Sequence, residues 1–333
     1  MFIVEYDYSD IAYPIPFHDL VNRKENKYEN FGGIFEALPK EVITGIIPSY
    51  NCQSSDVLLM TGATTNHVLS SFNCLYSMIL ADPFASYVYL DMNISSPYRI
   101  RLYSHLSSLL LIQHKIGSRG FIAYRRLNWN SYPDWLRIDK NGLQVGGYGW
   151  KVIPLMDVFY EWKAITYWVD AGCIFEMSLN REVSLARHYG LYTCQSSGSI
   201  GEWVHNDTQA FMLKHGLLHS RISSKEGMGS GGAIVLNYQN NTIRNRFASA
   251  FLECAYTQKC ISPRGSDRRN HRQDQAVLSL LVADLHVPYS ARYNYGSRPF
   301  LHQDIGMNEQ RLQEKLEPIV QRINYLYNVS ITV

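Results

Sequence analysis

The chain carries almost no net charge: 31 Lys and Arg stand against 29 Asp and Glu, a formal +2 over 333 residues. Nucleic-acid and membrane-surface binders rely on a broad cationic excess, so that shortage argues against both and confines any basic site to a local cluster. Long apolar runs are also missing. The longest, LSSLLLI and AVLSLLVADL, fall far short of the roughly 20 residues needed to cross a bilayer, and no membrane span is expected. The opening MFIVEYDYSDIAYPIPFHDL shows neither the basic start nor the apolar stretch of a signal peptide, so the expected location is cytoplasmic. Neither a Walker-type phosphate loop nor an HExxH zinc helix occurs.

Cysteine is sparse, at 6 residues, and without a secretory signal these read mostly as reduced thiols serving as small core side chains. Cys254 and Cys260 in ECAYTQKC could still pair in an oxidising compartment. The sequons NIS, NDT, NNT and NVS carry little meaning outside the secretory route. What is abundant is apolar material: 46% of residues are hydrophobic, enough for a large core in one or two lobes.

Residues 1 to 54 mix aromatic, polar, Pro and Gly residues without a period and read as an N-terminal extension packed on the core. Periodic signals begin at 56. DVLLMTG is a short buried strand ending in a glycine turn, and His67 to Leu80 repeats apolar residues at helical spacing. YVYLD, ending at Asp91, is a second strand, and Tyr98 to His114 a second helix. That order implies a parallel sheet with right-handed crossovers, whose ligands gather at the C-terminal strand edges. Val152 to Trp162 reads as the helix leading into a third strand, ITYWVD, which ends at Asp170. After a mixed stretch from 176 to 226 come a glycine loop and strand (GMGSGGAIVLNY), a helix over Arg246 to Ala255, a basic loop (RGSDRRNHR) and an apolar helix over Gln273 to Leu285. Residues 55–305 form the expected α/β domain, and 306–333 a packing helix and tail.

Several residue groups could carry chemistry. Asp170 is an acid at the end of an apolar strand, and a buried charge costs several kcal/mol unless something pairs with it. Thr61, Asp91 and Asp170 all stand at strand ends that could face one crevice, and each acid is either a structural cap or a ligand. Lys151, on the glycine-rich approach GGYGWK, is either a surface lysine or one that reaches a phosphate or carboxylate. Gly231 and Gly232 belong to a run that fits G-x-G-x-x-G, but a strand and not a helix follows, which excludes the dinucleotide fingerprint. They form a flexible turn or let backbone approach a sugar. Arg268 and Arg272 lie in a run of four arginines and a histidine that is either solvated or meets a diphosphate. Asp274 and Gln275 open the next helix, as a helix-start device or as a functional pair.

These motifs resemble, in order, those of GT-A-type glycosyltransferases, a Rossmann-like α/β fold. DVLLMTGATTNHVLSSFNCLYSMI is similar to the opening strand and helix of nucleotide-sugar transferases, and YVYLDMNIS to their second strand. YGWKVIPLMDVFYEWKAITYWVDAG resembles the lysine, helix and D-x-D strand of glycogenin-like and lipopolysaccharide galactosyltransferase-like families. GSGGAIVLNY resembles their sugar-binding strand and HRQDQAVLSLL their D-Q helix. CAYTQKCISPRGS is similar to the same segment of an animal family of glycosyltransferase-like proteins.

The resemblance spans about residues 56 to 300. It implies Asp91 near the nucleoside, Lys151 near the donor phosphates or sugar, Asp170 at a divalent cation (Mn²⁺ or Mg²⁺) or the ribose, and Asp274 on sugar hydroxyls. Gln275 would sit near the anomeric carbon, as in retaining members. His302 resembles the histidine that completes such metal sites. Two positions depart from the pattern: Gly172 replaces the second acid of D-x-D, and Ser279 stands where the helix usually shows Asn.

The expected activity is transfer of a sugar from a UDP- or GDP-sugar to a glycan or glycoconjugate hydroxyl, with retention. The alternatives are a catalytically silent nucleotide-sugar or glycan-binding domain, an inverting transferase with an Asp or Glu base, and another α/β enzyme acting on nucleotides.

Overall fold

The computed structural model describes residues 57–138, 146–289 and 300–331. The N-terminal extension expected over 1–54 lies outside them. The α/β architecture is as expected, built on a six-stranded sheet. Its strands are β1 (Val57–Ala63), β2 (Ser86–Asp91), β3 (Ile122–Arg126), β4 (Ile165–Val169), β6 (Leu191–Ser199) and β7 (Gly227–Asn237), in the order β3-β2-β1-β4-β7-β6. The first four in that order run parallel. β7 runs antiparallel to both β4 and β6. A second small sheet pairs β5 (Cys173–Phe175) with β8 (Phe300–His302), setting Cys173 opposite His302.

Alternation along the strands divides the core in two. Leu58, Met60, Val88, Leu90 and Trp168 point to one face, and Leu59, Tyr87, Tyr89, Tyr167 and Val169 to the other. Both faces of the parallel strands are covered, which is why these runs are almost continuously apolar. The first face is covered by α3 (Gly149–Trp162), α6 (Ala248–Tyr256) and α7 (Gln273–Asp284). The second is covered by α1 (Val68–Ala81), α2 (Ser96–Lys115), α4 (Asn180–Tyr189) and α8 (Glu309–Tyr327). One further helix, α5 (Asn206–Lys214), packs beside the turn Gln258–Ile261. Fully burying a Leu or Phe side chain contributes roughly 1.5–3 kcal/mol, so these two layers supply the main drive to fold.

The mixed stretch 176–226 resolves into α4, β6 and α5. The glycine run expected to be a loop is instead the first half of strand β7, beginning at Gly227. α3 starts at Gly149, three residues before the expected start at Val152, which puts Lys151 in its first turn; the start is tightly packed, since a Cβ at Gly149 would meet Leu136 Cδ2 at 2.6 Å and Ala255 O at 2.7 Å. Cys254 and Cys260 form a disulfide, while Cys74 and Cys173 are buried thiols. Among the described residues, no helix is long and apolar enough to cross a membrane.

Candidate functional site

Because β7 opposes β4, its glycine half meets the C-terminal end of β4. Val169 pairs with Ala233, and Asp170 N donates to Gly232 O at 2.9 Å. Asp170 and Trp168 are two residues apart on an extended chain and therefore share a face, the one covered by α3 and α7. The indole Nε1 donates to Asp170 Oδ1 at 2.8 Å.

The partner that Asp170 requires is Lys151. Its ammonium lies 3.1 Å from Asp170 Oδ1 and 3.0 Å from Asp274 Oδ2, and donates to Gly231 O at 3.1 Å. Three segments of distant sequence thus converge on one nitrogen: the start of α3, the end of β4 and the start of α7. Burial alone would depress the Lys151 ammonium, but Asp170 and then Asp274 outweigh it and hold it above its ordinary value, so it stays charged. For Asp274 burial dominates and raises the carboxyl, with Lys151 pulling it part of the way back and Asp170 adding to the rise.

Asp274 Oδ2 is buried and accepts no hydrogen bond; its contact with Lys151 is an ion pair without hydrogen-bond alignment. It faces Gly231, where an added Cβ would come within 3.2 Å of Asp274 Oδ2 and 3.3 Å of Gln275 Cβ. A Cβ added at Gly232 would likewise come within 3.3 Å of Asp170 Oδ2. The glycines are needed here for close approach, since each side chain added would occupy the space in front of an acid. Ser279 ties the pair of elements together. Gly229 N donates to its Oγ at 3.0 Å, and that hydroxyl donates to Gln275 O at 2.6 Å.

The basic loop reaches the same neighbourhood. Arg268 Nη1 donates to Tyr148 Oη at 2.7 Å, and its Cζ lies 5.6 Å from the Tyr148 ring, whose centroid is 5.9 Å from Lys151 Nζ. Arg272 stacks on Trp203 with Cζ 4.1 Å from the ring centroid, and its backbone N donates to Trp203 O at 3.0 Å. Left-handed backbone at two non-glycine residues, Tyr148 (φ 56°) and Gln273 (φ 44°), marks the starts of α3 and α7 beside Lys151 and Asp274. Such strain persists only where surrounding contacts enforce it.

The other expected residues lie elsewhere. Thr61 is inside β1 with 0% exposure, accepting from Cys74 Sγ at 3.9 Å, and does not reach the crevice. Asp91, also at 0% exposure, is saturated by protein. Its Oδ1 accepts from Asn93 N at 2.9 Å and Ile94 N at 2.6 Å, while Oδ2 accepts from Arg99 Nε at 2.8 Å and from Tyr124 Oη. Those bonds make it a structural pin. His302 packs over Gly172, its Nε2 3.0 Å from where a Cβ there would stand, and among the described residues no group of three or more His, Cys, Asp or Glu side chains is placed to hold a metal ion. Trp168, Tyr148 and Trp203 were not foreseen; the two-residue step from Trp168 to Asp170 was the available signal for the first.

No family model and no curated protein matches the chain. Among solved structures, it is similar to the WbbM bifunctional glycosyltransferase at 13% identity and TM-score 0.46, covering 71% of this chain and 39% of that one. It is similar to the mannosyltransferase Ktr4p from S. cerevisiae at 10% identity and TM-score 0.46, covering 84% and 77%. The galactosyltransferase LgtC in complex with donor and acceptor sugar analogues matches at 12% identity and TM-score 0.43, covering 78% and 95%.

Proposed function

We propose that the Lys151 junction is the donor site of a glycosyltransferase, which moves a sugar from a UDP- or GDP-sugar to a hydroxyl of a glycan or glycoconjugate. The observation that carries this reading is the Lys151 junction. Three of the motifs that resemble nucleotide-sugar transferases, far apart in sequence, supply Lys151, Asp170 and Asp274, and the three side chains meet in one cluster beside Gly231. The buried, unsatisfied Asp274 Oδ2 would accept a donor-sugar hydroxyl, and the missing side chain at Gly231 leaves room for the ring. Gln275, half-buried on the next position of α7, would lie by the anomeric carbon.

The reaction needs little covalent work from the protein. The bond from anomeric carbon to phosphate oxygen breaks, the acceptor oxygen bonds to that carbon, and the acceptor proton leaves with the nucleoside diphosphate or to water. Position and charge stabilisation supply the rate. Which sugar is moved, hexose or pentose, is set by contacts beyond this junction.

Calorimetry with a panel of nucleotide sugars, followed by transfer and hydrolysis assays, tests the reading. Asp170→Asn and Asp274→Asn should each weaken donor binding or turnover by about tenfold or more, the scale of one charge-assisted hydrogen bond. Absence of binding to every nucleotide sugar would sink the reading. A second reading, a silent binding domain, draws on the missing acid at Gly172, and predicts donor binding with neither transfer nor hydrolysis.

A further inference from the structure

Gly172 occupies the position where a D-x-D pair sets its second acid, and the structure fills the space in front of it. A Cβ at Gly172 would come within 3.0 Å of His302 Nε2 and 3.1 Å of Asp304 Cβ. Asp304 is itself held by His67 Nδ1 at 2.7 Å and Ser70 Oγ at 2.7 Å. Asp170 Oδ1 is already shared by Trp168 and Lys151. A hard divalent cation takes about six oxygen-rich ligands, commonly with more than one carboxylate. Among the described residues no group of three or more His, Cys, Asp or Glu side chains is placed to hold such an ion, and one bound at Asp170 Oδ2 would stand near an ammonium 3.1 Å from the same carboxylate, so like charges oppose it. The residues present do not fit that ion.

A diphosphate leaving group still requires counter-charge. Lys151 cannot give it freely, because its ammonium is already paired with Asp170 and Asp274 and donates to Gly231 O. Arg268 can. Its guanidinium is exposed, is steadied by the Tyr148 hydroxyl and ring, and shares that ring with Lys151. Its neighbour Arg269 is instead committed to Asp267, whose Oδ2 lies 3.0 Å from Arg269 Nε. Arg272 stands two residues before Asp274, held flat on Trp203. Guanidinium forks match phosphate oxygens and, fixed on an aromatic ring, lose little entropy on binding.

We propose that this site binds its donor's diphosphate without a divalent cation, with Arg268 on Tyr148, joined by Arg272, as the counter-charge. The inference rests on the transferase reading above. When the anomeric C–O bond breaks, its electron pair stays on the β-phosphate oxygen, and the guanidiniums take up that new charge.

Calorimetry with UDP and GDP alone as probes, in EDTA and again in Mn²⁺, separates the cases. Dissociation constants within about twofold of each other in the two buffers are expected. In EDTA, Arg268→Gln should weaken binding about tenfold, and the control Lys259→Gln, an exposed charge on the adjacent turn, less than twofold. Arg268 is exposed, so its variant should unfold at the wild-type temperature, which the same samples can verify. Binding that appears only with Mn²⁺ overturns the inference and leaves the transferase reading standing. So does an Arg268→Gln variant that binds as tightly as wild type. If neither nucleotide binds in either buffer, the transferase reading falls with it.

Discussion

Asp91 and Asp170 both end strands of one sheet, and their surroundings give them opposite roles. Asp91 receives two backbone N–H groups, a guanidinium and a phenol, and has no lone pair directed at solvent. Asp170 keeps Oδ2 uncommitted and a side chain about one-third exposed, at 32%. Removing one member of a buried ion pair leaves the other uncompensated, so Asp91→Ala should cost about 3–5 kcal/mol in urea unfolding. At a temperature where the variant is folded, its donor affinity should match wild type. A large affinity loss there would instead restore Asp91 as a ligand. Gly231 makes the reverse case. Gly231→Ala would put a methyl 3.2 Å from Asp274 Oδ2, so it should lower donor affinity while shifting unfolding by less than about 1 kcal/mol.

Whole elements were legible in the sequence where apolar period and length agreed. β1, α1, β2 and α2 declare themselves because both faces of the sheet are buried, α1 is apolar along most of its length, and α2 repeats Leu at 102, 106, 109 and 110. β6 was not legible, since its second half, CQSSGS, carries no alternation and is held by pairing with β7. The start of β7 was misread for a related reason: glycines carry no strand signal, and only the close approach of α7 explains them. The acids and the lysine were legible as residue types, but their meeting was not, because the antiparallel turn of β7 and the positive φ at Tyr148 and Gln273 are tertiary facts. At Gln273 that backbone costs a non-glycine residue about 1–2 kcal/mol. Gln273→Gly should therefore be neutral to stabilising in thermal unfolding, where an ordinary helix position would lose about 1 kcal/mol.

At the scale of the molecule, two buried histidines make stability depend on pH and one disulfide adds to it. Burial lowers His105 to about 4, with Arg101 adding to it, and lowers His271 to about 4 against a hydrogen bond to Ile261 O. Below the unfolded value of 6.5 the unfolded chain binds protons that the folded chain refuses, so stability falls with pH. Each histidine should remove up to about 3 kcal/mol between pH 6.5 and 4, and His271→Gln should flatten that slope in pH-dependent urea melts. The Cys254–Cys260 bond closes a short loop worth about 2 kcal/mol. Replacing both cysteines by serine should lower the melting temperature, and a chain made in a reducing compartment would lack that staple.

The junction of one lysine with two acids leaves a surplus of one negative charge, whereas the cationic excess lies on the Tyr148 side with Arg268. The two clusters therefore form an electric couple. On the donor-site proposal, a ligand that is anionic at one end and neutral at the other would have a single favoured heading between them, phosphates toward the arginine and hydroxyls toward the acids. A molecule entering backwards would meet like charge at the lysine end, so orientation is chosen before any sugar-specific contact forms.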